Sequence, residues 1–309
     1  MNNFQIKSFQ ALVKREYWEH KGAMLITPVS IAGFFAVIML LGAFSSNVTF
    51  QNNGYEVNLL DQLPRITEKF DEASREQQEK IVQLGLYVPM VLFGFVMLVI
   101  SFFYALSSLY DERKDKSILF WKSLPISDVT TVMSKFVAIS LLIPVLYLSV
   151  IVVFQLWTLL FGTVTAWFGG SSGVSIWAAS NLFGVIFNSL MTLIVTSLWF
   201  SPIWGWLMFA SSWAKKAPFI WGILPIFLLT LAEGYLFRTS YLAETVGKRI
   251  AEGFMVMSID EKIMENGIHS TMSVNWMQTL GSTEFWIGLI VSAIFLTAAI
   301  YVRRYRDES

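Results

Sequence analysis

The chain contains no cysteine and only two histidines, His20 and His269. Disulfide bridges and thiolate metal sites are therefore excluded. Charge is scarce as well: Asp, Glu, Lys and Arg make up 14% of the 309 residues, against roughly 25% in an average soluble domain. There is no GxxxxGK[ST] stretch to cradle the phosphates of ATP, and no HExxH or GxSxG. These absences predict a chain that is not an enzyme and binds no cofactor or metal of its own. No nucleic-acid partner is expected. The formal net charge of zero says nothing about this, but the placement of the charges along the chain is informative.

What is abundant is apolar surface. Hydrophobic residues make up 55% of the chain and the mean hydropathy is +0.58, the composition of an integral membrane protein. A helix needs about 20 apolar residues to cross about 30 Å of hydrocarbon. Six runs meet that length: about Ala23–Phe44, Gly85–Leu109, Phe136–Leu160, Ile176–Phe200, Pro218–Phe237 and Phe285–Val302. The predicted fold is an all-α membrane protein, a single transmembrane domain over 1–309 with six membrane-spanning helices. Pro89, Pro144 and Pro225 fall inside runs, where neighbouring helices can satisfy the freed backbone groups. The apolar run after Ile176 continues to Phe209, and Pro202 is expected to divide it into a span and a tilted or interfacial continuation.

Residues 3–21 predict an amphipathic helix lying in the membrane interface, with Ile6, Phe9, Leu12, Val13 and Tyr17 on one face and Glu16 interrupting it. The N-terminus lacks the pattern of a secretory signal and reads as a retained anchor. Basic residues set the orientation. With both ends cytoplasmic, the inner segments hold 14 of the 22 Lys and Arg residues, and the outer ones, counting Glu233 at the outer end of its span, 14 of the 22 acids. The tryptophans agree: Trp18, Trp121, Trp199, Trp204, Trp206, Trp213 and Trp221 fall near the inner boundary, and Trp157, Trp167, Trp177, Trp276 and Trp286 near the outer. Two outer segments are long. Residues 45–84 carry a helix expected from Pro64 to about Ile81 with Asp61 near its cap, and residues 238–284 one from Leu242 to about Met257. The two histidines fall on opposite sides of the membrane and cannot share a metal ion.

Within the apolar spans Glu233 is the acid that stands out. Its bland role is to reach the headgroups from the end of a helix; its functional role is a polar group on a solute path. Gln155, Asn188, Ser189 and Thr192 are uncharged polar groups in the spans, where interhelical hydrogen bonds account for them and a substrate role is the alternative.

The most informative stretch is DERKDKSILFWKSLPISD, Asp111 to Asp128, in the inner loop 110–135 between the second and third spans. Its first six residues are charged and cancel. Ile118, Leu119, Phe120, Trp121 and Leu124 follow, and Pro125 ends the turn. Large apolar groups held in or near water are normally covered by another surface. Ile118, Trp121 and Leu124 share a helical spacing, and Ser127 or Asp128 can cap the helix that follows. A solvated loop is the bland alternative.

The segment DERKDKSILFWKSLPISDVTTVMSKF (111–136) resembles the first cytoplasmic loop of type-2 ATP-binding-cassette (ABC) permeases, the membrane subunits of bacterial ABC exporters. LVKREYWEHKG (12–22) and WGWLMFASSWAKKAPFIWGILP (204–225) are similar in kind. The resemblance implies a permease dimer, homo- or heteromeric, in the bacterial inner membrane. It also implies two copies of a separate ATPase carrying ATP and Mg, each docked on a coupling helix of a permease chain. The docking residues it implies are Ser117, Ile118, Phe120, Trp121, Lys122, Leu124, Pro125, Ser127 and Asp128, with Trp121, Leu124 and Pro125 as the contact core. Glu233, Gln155 and Asn188 would lie on the substrate path. A membrane scaffold or sensor coupled to an ATPase without solute passage is the competing class. A transporter or channel that works without ATP would need ionisable groups near the midplane and paired helix breaks.

Overall fold

The computed structural model describes residues 3–44, 49–52, 55–123, 126–257 and 275–305. Helix α1 (Asn3–Lys21) runs through a π-helical turn, Gly22–Ile26, into α2 (Thr27–Phe44). An antiparallel hairpin, Thr49–Asn52 and Tyr55–Asn58, follows, with Phe50 opposite Val57. Next come α3 (Leu59–Glu72), α4 (Arg75–Ser107), α5 (Tyr110–Lys114) and α6 (Ser117–Ser123). Helix α7 (Asp128–Val137) passes through a second π turn, Ala138–Leu142, into α8 (Ile143–Phe168). After α9 (Val174–Ala179) the chain forms α10 (Leu182–Trp199), α11 (Ser201–Trp213), α12 (Pro218–Leu236) and α13 (Tyr241–Met255). Helices α14 (Trp276–Gly281) and α15 (Thr283–Tyr305) complete it.

Six of these helices are long and apolar enough to cross a membrane: α1–α2, α4 with α5, α7–α8, α10, α12 and α15. The expected all-α architecture with six spans is present, with the hairpin as its one departure among the described residues. The boundaries follow local chemistry. Ser74 and Gln77 form a reciprocal capping box at the start of α4. The outer helix expected from Pro64 to Ile81 is therefore two helices, and α3 begins ahead of Asp61, which leaves Asp61 in its first turn and not at a cap. Asn181 adopts a left-handed conformation, φ 40°, tolerated better by Asn than by most residues. It splits the expected fourth span, so α10 starts only at Leu182.

Pro202 does separate two helices, as its missing N–H requires, but α11 is not interfacial. It packs between α4 and α15 with Trp204, Leu207, Met208 and Ala210 buried. Gly205 makes this possible: a β-carbon there would lie 3.1 Å from the Ser292 carbonyl oxygen on α15. Trp199 and Trp204, expected near the inner boundary, are buried among other helices at the α10–α11 junction.

Helix α13 turns back along the bundle. Gly253 sits against the Phe200 and Trp199 rings, and Met257 reaches Gly94, well inside α4. Arg249 locks this arrangement: its Nε donates to the Trp199 carbonyl (2.9 Å) and its Nη1 to the Glu284 carbonyl (2.7 Å). Its guanidinium lies 3.8 Å from the centre of the Trp199 indole. The end of α10, where carbonyls lack helical partners, is thereby closed by a cation. By contrast α12 is exposed over most of its surface and docks through Gly222, which meets Leu106 and Leu207.

The glycines make this packing testable. Gly205→Val forces a side chain against the α15 backbone and is expected to cost about 1–3 kcal/mol. Gly247→Ala, on α13 with open space at its β-carbon, is expected to be neutral or to stabilise by up to about 1 kcal/mol. Thermal unfolding of the two purified variants in one detergent checks both.

Candidate functional site

The loop between spans two and three is short and built for rigidity. Asp111 and Glu112 occupy the first turn of α5 and Arg113 and Lys114 the last, the order the helix dipole favours. Lys116 takes a left-handed conformation, φ 57°, which turns the chain into α6. The Ser117 hydroxyl donates to the Glu112 carbonyl at 3.2 Å. Ser127 caps α7, accepting from the Thr130 N–H at 3.1 Å. On the opposite side Ser211 of α11 accepts the Leu109 and Tyr110 N–H groups at 3.1 and 2.9 Å, and Arg113 donates to the Ser211 and Ala214 carbonyls.

Beneath this loop lies a buried ionic network. Glu16 of α1 is 0% exposed. Its carboxylate accepts from Lys135 Nζ (2.9 Å), from the Tyr104 hydroxyl (2.6 Å) and from Arg15. Glu112 of α5 is 8% exposed. One of its oxygens accepts from Arg15 Nη2 at 2.9 Å and lies 3.1 Å from Lys135 Nζ; the other accepts from Arg303 Nη1 at 2.6 Å. Arg303, near the end of α15, also donates through Nε to Asp128 Oδ1 at 3.0 Å. Three cations (Arg15, Lys135, Arg303) thus face three anions (Glu16, Glu112, Asp128), with half-exposed Glu19 3.5 Å from Arg15 Nε at the edge. Arg15 additionally stacks on Trp121 of α6, 4.2 Å from the ring centre.

Glu16, Glu19 and His20 bring their donor atoms close together, but both Glu16 oxygens are already taken by Lys135, Arg15 and Tyr104. That cluster is part of the network and not a cation site.

The docking residues expected from the sequence do not share one face. Ile118 is buried at 2% exposed, and Trp121 is half-buried against Arg15. Ser127 is a cap and Asp128 an ion-pair partner. Facing outward are Lys122 and the apolar pair Leu119 and Phe120, 57% and 60% exposed. Trp121 therefore belongs to the seam between α6 and α1. Leu124 and Pro125 lie outside the described residues, as does His269.

The three expected path residues are not gathered in one place. Gln155 Nε2 donates to the Leu86 carbonyl at 3.0 Å, and Asn188 Nδ2 to the Tyr87 hydroxyl at 3.1 Å. Both are thus tied to one turn of α4, and Trp276 Nε1 closes on Asn188 Oδ1 at 3.3 Å. Glu233 stands apart at the end of α12. It accepts from the Tyr241 and Leu242 N–H groups (2.8 and 2.9 Å) and the Thr239 hydroxyl (2.9 Å), and so caps α13.

No protein-family model matches the chain, and no curated protein or solved structure matches it either.

What the site does follows from its geometry. No nucleophile–base pair is assembled in the network; Glu16 and Glu112 are engaged on both oxygens by cations or a hydroxyl, and Asp128 takes one bond from Arg303. The network's contacts tie α6 and α5, through Trp121 and Glu112, to α1, α7 and α15. Arg15, Glu16, Tyr104, Glu112, Lys135 and Arg303 were not among the docking or path residues expected from the sequence. One signal was there: Glu16 follows Leu12 by four residues, so an acid shares the buried face of an amphipathic helix.

Removing one partner of a buried pair strands the others, at a typical cost of about 3–5 kcal/mol. Glu112→Gln is expected to destabilise by about that much, and Lys135→Met in the same chain to recover part of the loss. Asp115→Asn, on the exposed side of the loop, is expected to stay within about 0.5 kcal/mol. Unfolding of the four chains in matched detergent measures each difference.

Proposed function

We propose that the chain is the membrane-spanning permease subunit of an ABC-type exporter. It works as a dimer in the bacterial inner membrane with both termini cytoplasmic. A separate ATPase drives it by docking on the loop at 111–128. The observation that carries this reading is that α6 turns Leu119 and Phe120 outward while its inner side is held by Arg15, Glu112 and Ile118. A short apolar knob mounted on a saturated ionic base suits a part that is pushed by another protein. The resemblance of 111–136 to the coupling loop of type-2 permeases, and the excess of Lys and Arg at this end, agree with it.

In this mechanism ATP binding draws two ATPase subunits together and α6 moves with them. Spans two and three follow as rigid bodies and convert a cavity between protomers from inward- to outward-facing. The energy comes from the ATPase's differential affinity for its nucleotide states, because the permease carries no fuel of its own. The weakly packed α12 leaves a long apolar face for lipid and for the second protomer.

The test is affinity purification from native membranes in mild detergent. An ATPase is expected to co-purify at one copy per permease chain. Phe120→Asp and Leu119→Asp should each lower its retention about ten-fold or more, a change of roughly 1.4 kcal/mol, with insertion intact. Trp121→Ala should retain the ATPase but loosen α6 from Arg15, so that hydrolysis continues while transport falls. Unchanged retention in both aspartate variants would refute the docking role, and so would solute movement by the purified chain in vesicles free of any ATPase.

A further inference from the structure

At the end of the bundle opposite the ionic network, α3 roofs a cleft of about 260 Å³. Two polar pins hold this roof in place. The Thr67 hydroxyl lies 3.0 Å from the Gly169 carbonyl, sharing its one proton with the Leu63 and Pro64 carbonyls of its own helix (2.9 and 3.0 Å), in an approach so close that a β-carbon on Gly169 would lie 2.4 Å from the Thr67 oxygen. Ser175 donates to Asp71 at 3.0 Å. Between the pins Leu63, Ile66 and Phe70, on one helical stripe, face the cleft. Its floor is fully buried Leu86 of α4 and Leu159 of α8.

The stripe is not filled by protein. Ile66 remains 51% exposed, and a β-carbon on Gly85 in the wall would meet nothing within 4 Å. No charged side chain lines the cleft. Four of the five hydroxyls around it already donate elsewhere: Thr67 and Ser175 in the pins, Thr158 to the Phe154 carbonyl and Thr165 to the Gly162 carbonyl; the fifth, Ser171, accepts from the Gly173 N–H. A water molecule needs two to four polar partners, and the cleft offers few. Its occupant is therefore apolar. At about 260 Å³ it falls just below the usual range of small-ligand pockets, about 300–1,000 Å³, and suits one alkyl chain better than a whole lipid or a folded peptide.

The cleft also joins a hydrocarbon surface. Ile81 and Gly85 at its mouth begin an exposed stripe that continues at helical spacing through Val88, Phe95, Val99 and Phe103 along α4. From this continuity we infer that the cleft is a binding site for one acyl chain of a bilayer phospholipid, which enters along α4 from the leaflet on that side. The chain wedges between α3 and the spans and makes the position of α3 depend on the lipid. This inference is independent of the proposed export function and of the ATPase.

The experiment uses the full chain in nanodiscs containing a phosphatidylglycerol with a photoreactive diazirine on one acyl chain, and peptide mass spectrometry after illumination. Label is expected on Ile66 and on the Ile81–Leu86 turn. Gly85→Phe and Gly162→Leu, which place side chains into the cleft, should each reduce it about ten-fold, with label on Leu231 of α12 unchanged as an internal control. Excess unlabelled single-chain lysophosphatidylglycerol should displace the cleft label, and soluble glycerophosphoglycerol should not; this readout holds even if a variant does not insert. Absence of label on α3 in the wild type, or label indifferent to both variants and to the competitor, overturns the inference. So does a disulfide-linked dimer formed through Ile66→Cys, clean in a chain without cysteine, because a second copy would then be the occupant.

Discussion

Glu16 and Glu112 hold their carboxylates where water does not reach, and a lone charge in such a place costs several kcal/mol. That constraint organises the lower half of the molecule. Each acid must meet cations, and the cations come from different helices: Arg15 from α1, Lys135 from α7 and Arg303 from α15. Helix α1 is held against the bundle by Glu16, which stops it from drifting along an interface. Helix α7 is rotated so that Lys135 points inward, and α15 must extend far enough to deliver Arg303. The loop helix α6 inherits its position from these demands through Trp121 and Arg15.

The opposite end follows another rule. There the helices are joined by backbone acceptance and small residues: Glu233 capping α13, Gly169 receiving Thr67, Arg249 closing the end of α10. The space beneath α3 is left apolar and open. The bundle is thus ionic at one end and apolar, with an unfilled cleft, at the other. Helix breaks at Asn181 and Phe200 bound α10. They let α11 pack deeply beside α4 and α15 while α12 stays at the margin.

Much of the architecture is legible from residue order. Six apolar runs, the division at Pro202 and a helix over 3–21 all follow from run length, proline chemistry and periodicity. So does the capping role of Ser127, since a hydroxyl beside a helix start has few better uses. The polar groups are where pattern stops helping. Glu16 reads as a flaw in an apolar face, yet it is fully buried and held by Lys135, Arg15 and Tyr104. Glu112 reads as one charge in a run of six, and its neighbours Asp115 and Lys116 are exposed while it is buried. Trp121 reads as a contact for a partner and is claimed by Arg15. Glu233 reads as an acid reaching the headgroups or standing on a path, and its carboxylate caps α13.

The difference has a single cause. Hydrophobic burial is set by composition over about 20 consecutive residues, because the bilayer imposes one length on every crossing. Local sequence therefore decided on its own that this is a helical chain with six segments fit to span. An ion pair is a meeting of two residues far apart in the chain: 97 positions separate Arg15 from Glu112 and 191 separate Glu112 from Arg303. Only the packed bundle determined which charges meet, which face of α6 is left for others, and where a cleft stays unfilled.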